Sequence, residues 1–260
     1  MKTPNLFLAM TIVNLILNDV CGETSTNGWT PTGSLFSSLQ ERYIALRVTR
    51  VLYDGLSLQS EITVNLPKGF YVDLWNHAGI GENVVSKQPK EIDMTFGWQE
   101  KLPLYGLEVG LSGTFFNNSP LGLWWKNDAL AQTATLSKTF VRGNHTLRPQ
   151  LRVEWISRAT DIGGGALILM PNIAHVWKHP FGITPMSTAN QMFVIHDDGF
   201  DPPKNDSEGY FLRWHSGLRW QLGKRMTLTI PSFIAQIPLR KGNDGRGQAT
   251  SWGTAMSFSF

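Results

Sequence analysis

Charged side chains in this 260-residue chain fall on the polar side of stretches in which polar and apolar residues alternate. Glu61, Asp73, Glu91, Asp93 and Glu108 do so in the first half, and Arg148, Arg152, Glu154, Arg213 and Arg219 in the second. Two carboxylates on one face, as Glu91 and Asp93 would be, can work as an acid–base pair, but they are more often ion-pair partners or a cation site. Histidine offers a second route to catalysis, and the chain has His77, His145, His175, His179, His196 and His215. His215 stands beside Ser216, yet neighbours on a strand point to opposite faces and cannot form a nucleophile–base pair with each other. No zinc-ligand spacing, phosphate-binding loop or serine elbow is present. The sequence therefore points away from an enzyme, with no catalytic residue, no metal site and no cofactor expected. What remains is a chemistry of position: acidic side chains in one part of the chain and mostly basic ones in another.

The elements that carry these residues read as β-strands, because successive strand side chains alternate between two faces. The stretch 249–260, ATSWGTAMSFSF, puts Trp252, Thr254, Met256, Phe258 and Phe260 on one face and Ser251, Gly253, Ala255, Ser257 and Ser259 on the other. Alternation starts at Tyr43, with Ile44, Leu46 and Val48 against Ala45, Arg47 and Thr49, and Asp54-Gly55 reads as a tight hairpin tip. The return strand sets Leu58, Ile62 and Val64 against Gln59, Glu61 and Thr63. Further strands are expected near 70–77, 91–98, 107–115, 129–138, 147–155, 166–178, 183–196, 212–221 and 226–230. The faces of 166–178 cannot be assigned by period, because that stretch is apolar throughout its start. Pro185 and Pro231 interrupt their strands. No sustained helical period occurs.

This bookkeeping gives about twelve strands of roughly ten residues, the length that crosses a bilayer when tilted. Short connections at 67–69, 142–144, 179–182 and 223–225 alternate with long ones at 78–89, 117–128, 157–165, 197–208 and 239–248. The hairpin at Asp54-Gly55 breaks that rhythm. Trp98, Trp177 and Trp220 lie near short-turn ends of their strands, and Trp155, Trp214 and Trp252 near long-loop ends, as two interfacial girdles require. Mean hydropathy of −0.15 does not oppose a membrane protein, since the two faces of each strand cancel. A net charge of +3, with no basic run longer than two residues, excludes nucleic acid as a partner.

Residues 1–22 read as a signal peptide: Lys2 provides the positive region, Leu6 to Leu17 the apolar core, and cleavage follows Gly22. Cys21, the single cysteine, would leave with it, so no disulfide is expected. Residues 23–40 read as a polar leader or flap, and 41–260 as the barrel. An all-β transmembrane antiparallel up-and-down barrel follows, in the bacterial outer membrane after export. Its partners would be outer-membrane lipid and, through Phe260 closing the last strand, the barrel-assembly machinery.

Three stretches carry a resemblance to a known family. LYDGLSLQS, NLPKGFYVDLWN and EIDMTFGWQ, within residues 43–116, resemble the first two hairpins of the Gram-negative porins sometimes called TorF. The resemblance implies an outer-membrane barrel of undefined substrate and carries over no catalytic residue. On this reading the ten charged residues line a lumen. One acidic wall would face one basic wall, for passive passage of small hydrophilic or charged solutes. The alternative is a lumen plugged by these same residues paired with each other, in a barrel with a lipid-modifying, structural or adhesive role.

Overall fold

The computed structural model describes residues 32–44, 51–80, 90–103, 105–117, 129–158, 161–179, 183–197, 210–238 and 248–260. The expected signal peptide, the leader up to residue 31, Arg47, and most of each long connection other than 157–165 lie outside the described residues. The strands are β1 (Thr32–Ile44), β2 (Val51–Asn65), β3 (Phe70–Gly79), β4 (Lys90–Lys101), β5 (Leu107–Asn117), β6 (Ala129–Lys138) and β7 (Phe140–Arg142), then β8 (His145–Arg158), β9 (Asp161–Trp177), β10 (Ile183–Asp197), β11 (Tyr210–Leu222), β12 (Met226–Pro238) and β13 (Ala249–Ser259). All strand pairings are antiparallel and, with β6 and β7 taken together, join consecutive strands around the wall. The three residues of β7 continue β6 past Thr139 and pair with the same strand, β8, so β6 and β7 form one wall element. β1 pairs with β13, and the sheet closes into a twelve-strand barrel without an edge. Closure is what a spanning sheet needs, since hydrocarbon offers no partner to an exposed backbone amide.

The register fixes which residues share a face. Phe36, Glu61, Trp75, Asp93 and Phe116 stand in one row across β1 to β5. The polar set on this face is largely buried, whereas large apolar side chains of the opposite face are open. Met94 is 55% and Trp252 52% exposed, while His77 is 2% and Glu154 0% exposed. Apolar side chains outside and charge inside reverse the arrangement of a water-soluble barrel, and suit a wall surrounded by lipid. The strands are thus transmembrane strands, and among the described residues no helix is long and apolar enough to cross. Tryptophans mark both rims. Trp98 donates from Nε1 to the Lys68 carbonyl at 3.1 Å in the short turn, with Trp177 and Trp220 exposed toward the same end. Trp214 and Trp252 are exposed toward the other.

Three expectations about the chain are corrected. Residues 32–40 belong to β1 and not to a leader: Leu35 and Leu39 face outward in register with Ile62 and Leu58, and Ser34, Ser37 and Ser38 masked the alternation. Asp54-Gly55 is not a hairpin tip. The pair lies inside β2, where Ser57 to Asp54 spans the same length as Gln40 to Arg42, leaving one extra residue as a bulge. The β1–β2 connection is 45–50, which places it at the long-loop end and removes the irregularity in loop rhythm. The glycines 163–165 do not form a loop either, since β9 begins at Asp161 and Gly165 pairs with Ser157. A Cβ on Gly165 would meet the Ile156 carbonyl and come within 3.0 Å of the Trp155 ring, so glycine lets these strands close up.

Both ends of the described barrel sit at the short-turn rim. Gly33 and Phe260 exchange two backbone hydrogen bonds, Gly33 N–H to Phe260 O at 3.0 Å and Phe260 N–H to Gly33 O at 3.1 Å.

Candidate functional site in the barrel lumen

All ten charged residues singled out in the sequence lie on the inward face by register. They do not form two simple walls. Glu61, Asp73, Glu91 and Asp93 occupy three adjacent strands, β2 to β4, where Thr63 Oγ1 donates to Asp73 Oδ1 at 3.0 Å. Glu108 on β5 belongs to a different group. Arg148 reaches across β6 to donate to Glu108 Oε2 at 2.7 Å and to Ser137 Oγ at 3.1 Å. Arg152 donates to Glu154 Oε2 on its own strand, and Thr133 Oγ1 donates to the same oxygen at 3.0 Å. The β8 guanidiniums are therefore matched locally by carboxylates, and they do not extend a basic wall. The Arg148–Glu108 pair was not legible in the sequence, because partners on either side of β6 can be matched only once the register is known.

The remaining arginines, Arg213 and Arg219, stand on β11. In a ring of twelve, β11 lies six strands from β4, directly across the lumen from Glu91 and Asp93. Arg213 Nη1 donates to the Ile44 carbonyl at 2.8 Å, drawing its head toward β1. Arg219 Nη2 approaches the Met186 sulfur at 3.3 Å.

Between β11 and β1 runs a network of uncharged groups. Gln40 Nε2 donates to Ser232 Oγ at 3.3 Å, Ser251 Oγ donates to the Arg42 carbonyl at 3.0 Å, and the Arg42 N–H donates to Ser251 Oγ at 3.1 Å. His215 Nε2 lies 3.0 Å from Ser232 Oγ. This pair replaces the His215–Ser216 adjacency of the sequence, joining neighbouring strands in register near Gly217. Ser232 is buried and already engaged by Gln40. The pair ties strands together.

Two lumen features gave no clear signal in the sequence. One is an apolar cluster of Phe116, Ala129, Ala131, Ile156, Ala166, Ile168 and Met170 on β5, β6, β8 and β9. It settles the faces of the apolar stretch 166–178, with Ala166, Ile168 and Met170 inward. The other is aromatic: Tyr43 stacks on His77 with centroids 4.1 Å apart, tilts against Trp75 at 5.8 Å, and donates from its hydroxyl to Glu91 Oε2 at 2.9 Å. Tyr53 meets the edge of His77 at 6.0 Å. Its ring occupies the space over Gly79, where a Cβ would come within 2.8 Å of Tyr53 Cδ2.

This barrel is a known architecture. Among solved structures the chain is similar to the NanC porin, with a TM-score of 0.54, 10% identity, and coverage of 88% of this chain and 100% of that one. It is similar to the KdgM porin at a TM-score of 0.52 and 10% identity, covering 88% and 99% of the two chains. An outer-membrane channel from Pseudomonas putida F1 follows at 0.51 and 10%, covering 88% and 95%. No protein-family model and no curated protein matches the sequence. The likeness is one of fold, shared with outer-membrane channels, and at this identity the lumen side chains must be read from this chain itself.

Proposed function

We propose that this chain is a passive outer-membrane channel for small hydrophilic or charged solutes, related to the TorF-like porins by the motifs in residues 43–116. The observation that carries the reading is the separation of charge around the ring. Carboxylates cluster on β2 to β4, and the two inward arginines with no carboxylate partner among the described residues, Arg213 and Arg219, are on β11 opposite β4. Such an arrangement sets a field across the lumen, orders water and favours permeants whose dipoles align with it. It narrows the earlier picture of opposed walls to one acidic sector and two arginines. A KdgM structure has been described in complex with disordered oligogalacturonate, a polyanion. The acidic sector of the present lumen argues for a different preference, neutral or cationic. On this reading outer-membrane lipid around the apolar wall is a further partner.

A filled lumen is the second reading, favoured by the complete burial of Glu154, Ser251 and Ser232 on the inward face. Planar-bilayer recording separates the two. The refolded chain should give discrete conductance steps, and their ion selectivity should shift in opposite directions for Glu91→Gln with Asp93→Asn and for Arg213→Gln with Arg219→Gln. A correctly folded but silent barrel would overturn the channel and leave the structural or lipid-modifying role.

A further inference from the structure

We propose that the β1–β5 face of the lumen is a binding site for hydroxylated organic ammonium solutes, the chemistry of an amino sugar; this rests on the channel reading. Its centre is the row Phe36, Glu61, Trp75, Asp93, Phe116, in which aromatic and carboxylate side chains alternate across five neighbouring strands. Directly opposed residues in a sheet lie about 4.5–5.5 Å apart, so Trp75 has a carboxylate-bearing residue on each side within reach of a single ammonium group. An aromatic face between two carboxylates holds a cation twice over, by the ring quadrupole and by charge. Tyr43, tilted 5.8 Å from Trp75, adds a second ring to the same enclosure.

The row above supplies what a bare cation would not use. His77 is 2% exposed, and neither of its ring nitrogens has a hydrogen-bond partner. The hydroxyls of Tyr53 and Ser57, both fully buried, are likewise unpartnered. These three residues belong together: Ser57 is opposite Gly79, the Tyr53 ring covers Gly79, and Tyr53 meets His77 edge-on. Buried polar atoms are ordinarily satisfied, and leaving one empty costs stability. Four such atoms beside a cation enclosure are accounted for by a solute that brings hydroxyl groups along with its ammonium. A simple inorganic cation would leave them empty, and among the described residues no cluster of metal-ligating side chains is present.

The test uses glucosamine against glucose and N-acetylglucosamine, which share a ring and hydroxyls but lack the positive charge. Binding is measured by titration calorimetry on the detergent-solubilised, refolded chain, and separately as block of single-channel current. Glucosamine should bind and block, and the two neutral sugars should do so at least about tenfold more weakly. Trp75→Leu should weaken glucosamine about tenfold by removing the ring face. Glu61→Gln with Asp93→Asn should abolish the preference over glucose. His77→Phe, which keeps the stacked ring and removes both nitrogens, should weaken glucosamine while leaving tetramethylammonium unchanged. Heat-modifiable electrophoretic mobility verifies that each variant folds. Equal binding of glucose and glucosamine would overturn the proposal in favour of a neutral-sugar site, and no binding by calorimetry would overturn it altogether. A silent bilayer with glucosamine still bound in detergent would refute the channel and leave the site standing.

Discussion

Replacing Arg152 with Met tests whether the inward charges act as pairs. The Glu154 carboxylate is completely buried, with Arg152 and Thr133 both donating to its Oε2. Removing one member of a fully buried ion pair costs about 3–5 kcal/mol, because the other charge stays behind in a poor solvent. Two features lower that figure here. The Arg152 side chain is 27% exposed, so part of its charge is already solvated, and the Thr133 hydrogen bond survives the substitution. We expect Arg152→Met to destabilise the barrel by about 2–3 kcal/mol. Arg152→Met combined with Glu154→Gln removes both charges and should return to within about 1 kcal/mol of the unmodified chain. Urea unfolding of the barrel in lipid vesicles, followed by tryptophan fluorescence, measures both. If the single and double variants were equally destabilised, Arg152 would be acting through packing and the pairing argument would fail. A neutral single variant would show that water already reaches Glu154.

Inside-out polarity makes a contrasting pair of charges informative: Met94→Arg on the outer face of β4 should cost about 2–4 kcal/mol, whereas Gln99→Arg on the inner face should stay within about 0.5 kcal/mol and alter ion selectivity instead. Vesicle unfolding and bilayer recording read the two effects. Gly79→Ala would force its new Cβ against the Tyr53 ring, and should destabilise by about 1–3 kcal/mol in the same unfolding assay.

The transmembrane barrel was legible because alternation carries the face of each residue without knowledge of its partners. Glu91, Asp93, Arg213 and Arg219 came out on one face from spacing alone. Misreadings occurred where local chemistry imitates a different element. Asp54-Gly55 has the composition of a tight turn but serves a bulge, and the serines of 32–40 dilute a strand into what resembles a leader. Pairing was illegible for a different reason. Arg148 meets Glu108 across an intervening strand, and the alternating row through Trp75 exists only after five strands have been placed in register. A one-residue slip of any of them would dissolve it. His215 and Ser232 likewise meet only because β11 and β12 align.

The seam between β1 and β13 has a consequence for how the molecule is built. In every other strand pairing the partners are consecutive wall elements, whereas in this one Arg42 and Ser251 meet across a separation of 209 residues. Hairpins can thus zip locally and quickly, and closure is left as one distant event with a large entropic toll. Until it happens the nascent sheet carries two raw edges, each able to recruit a strand from another molecule. The seam is latched at both rims, by Gly33 with Phe260 at one and by Arg42 with Ser251 at the other, so a slipped register would forfeit a latch. Those two latches make the last step of assembly selective for a single outcome: a cylinder closed on its own first and last strands.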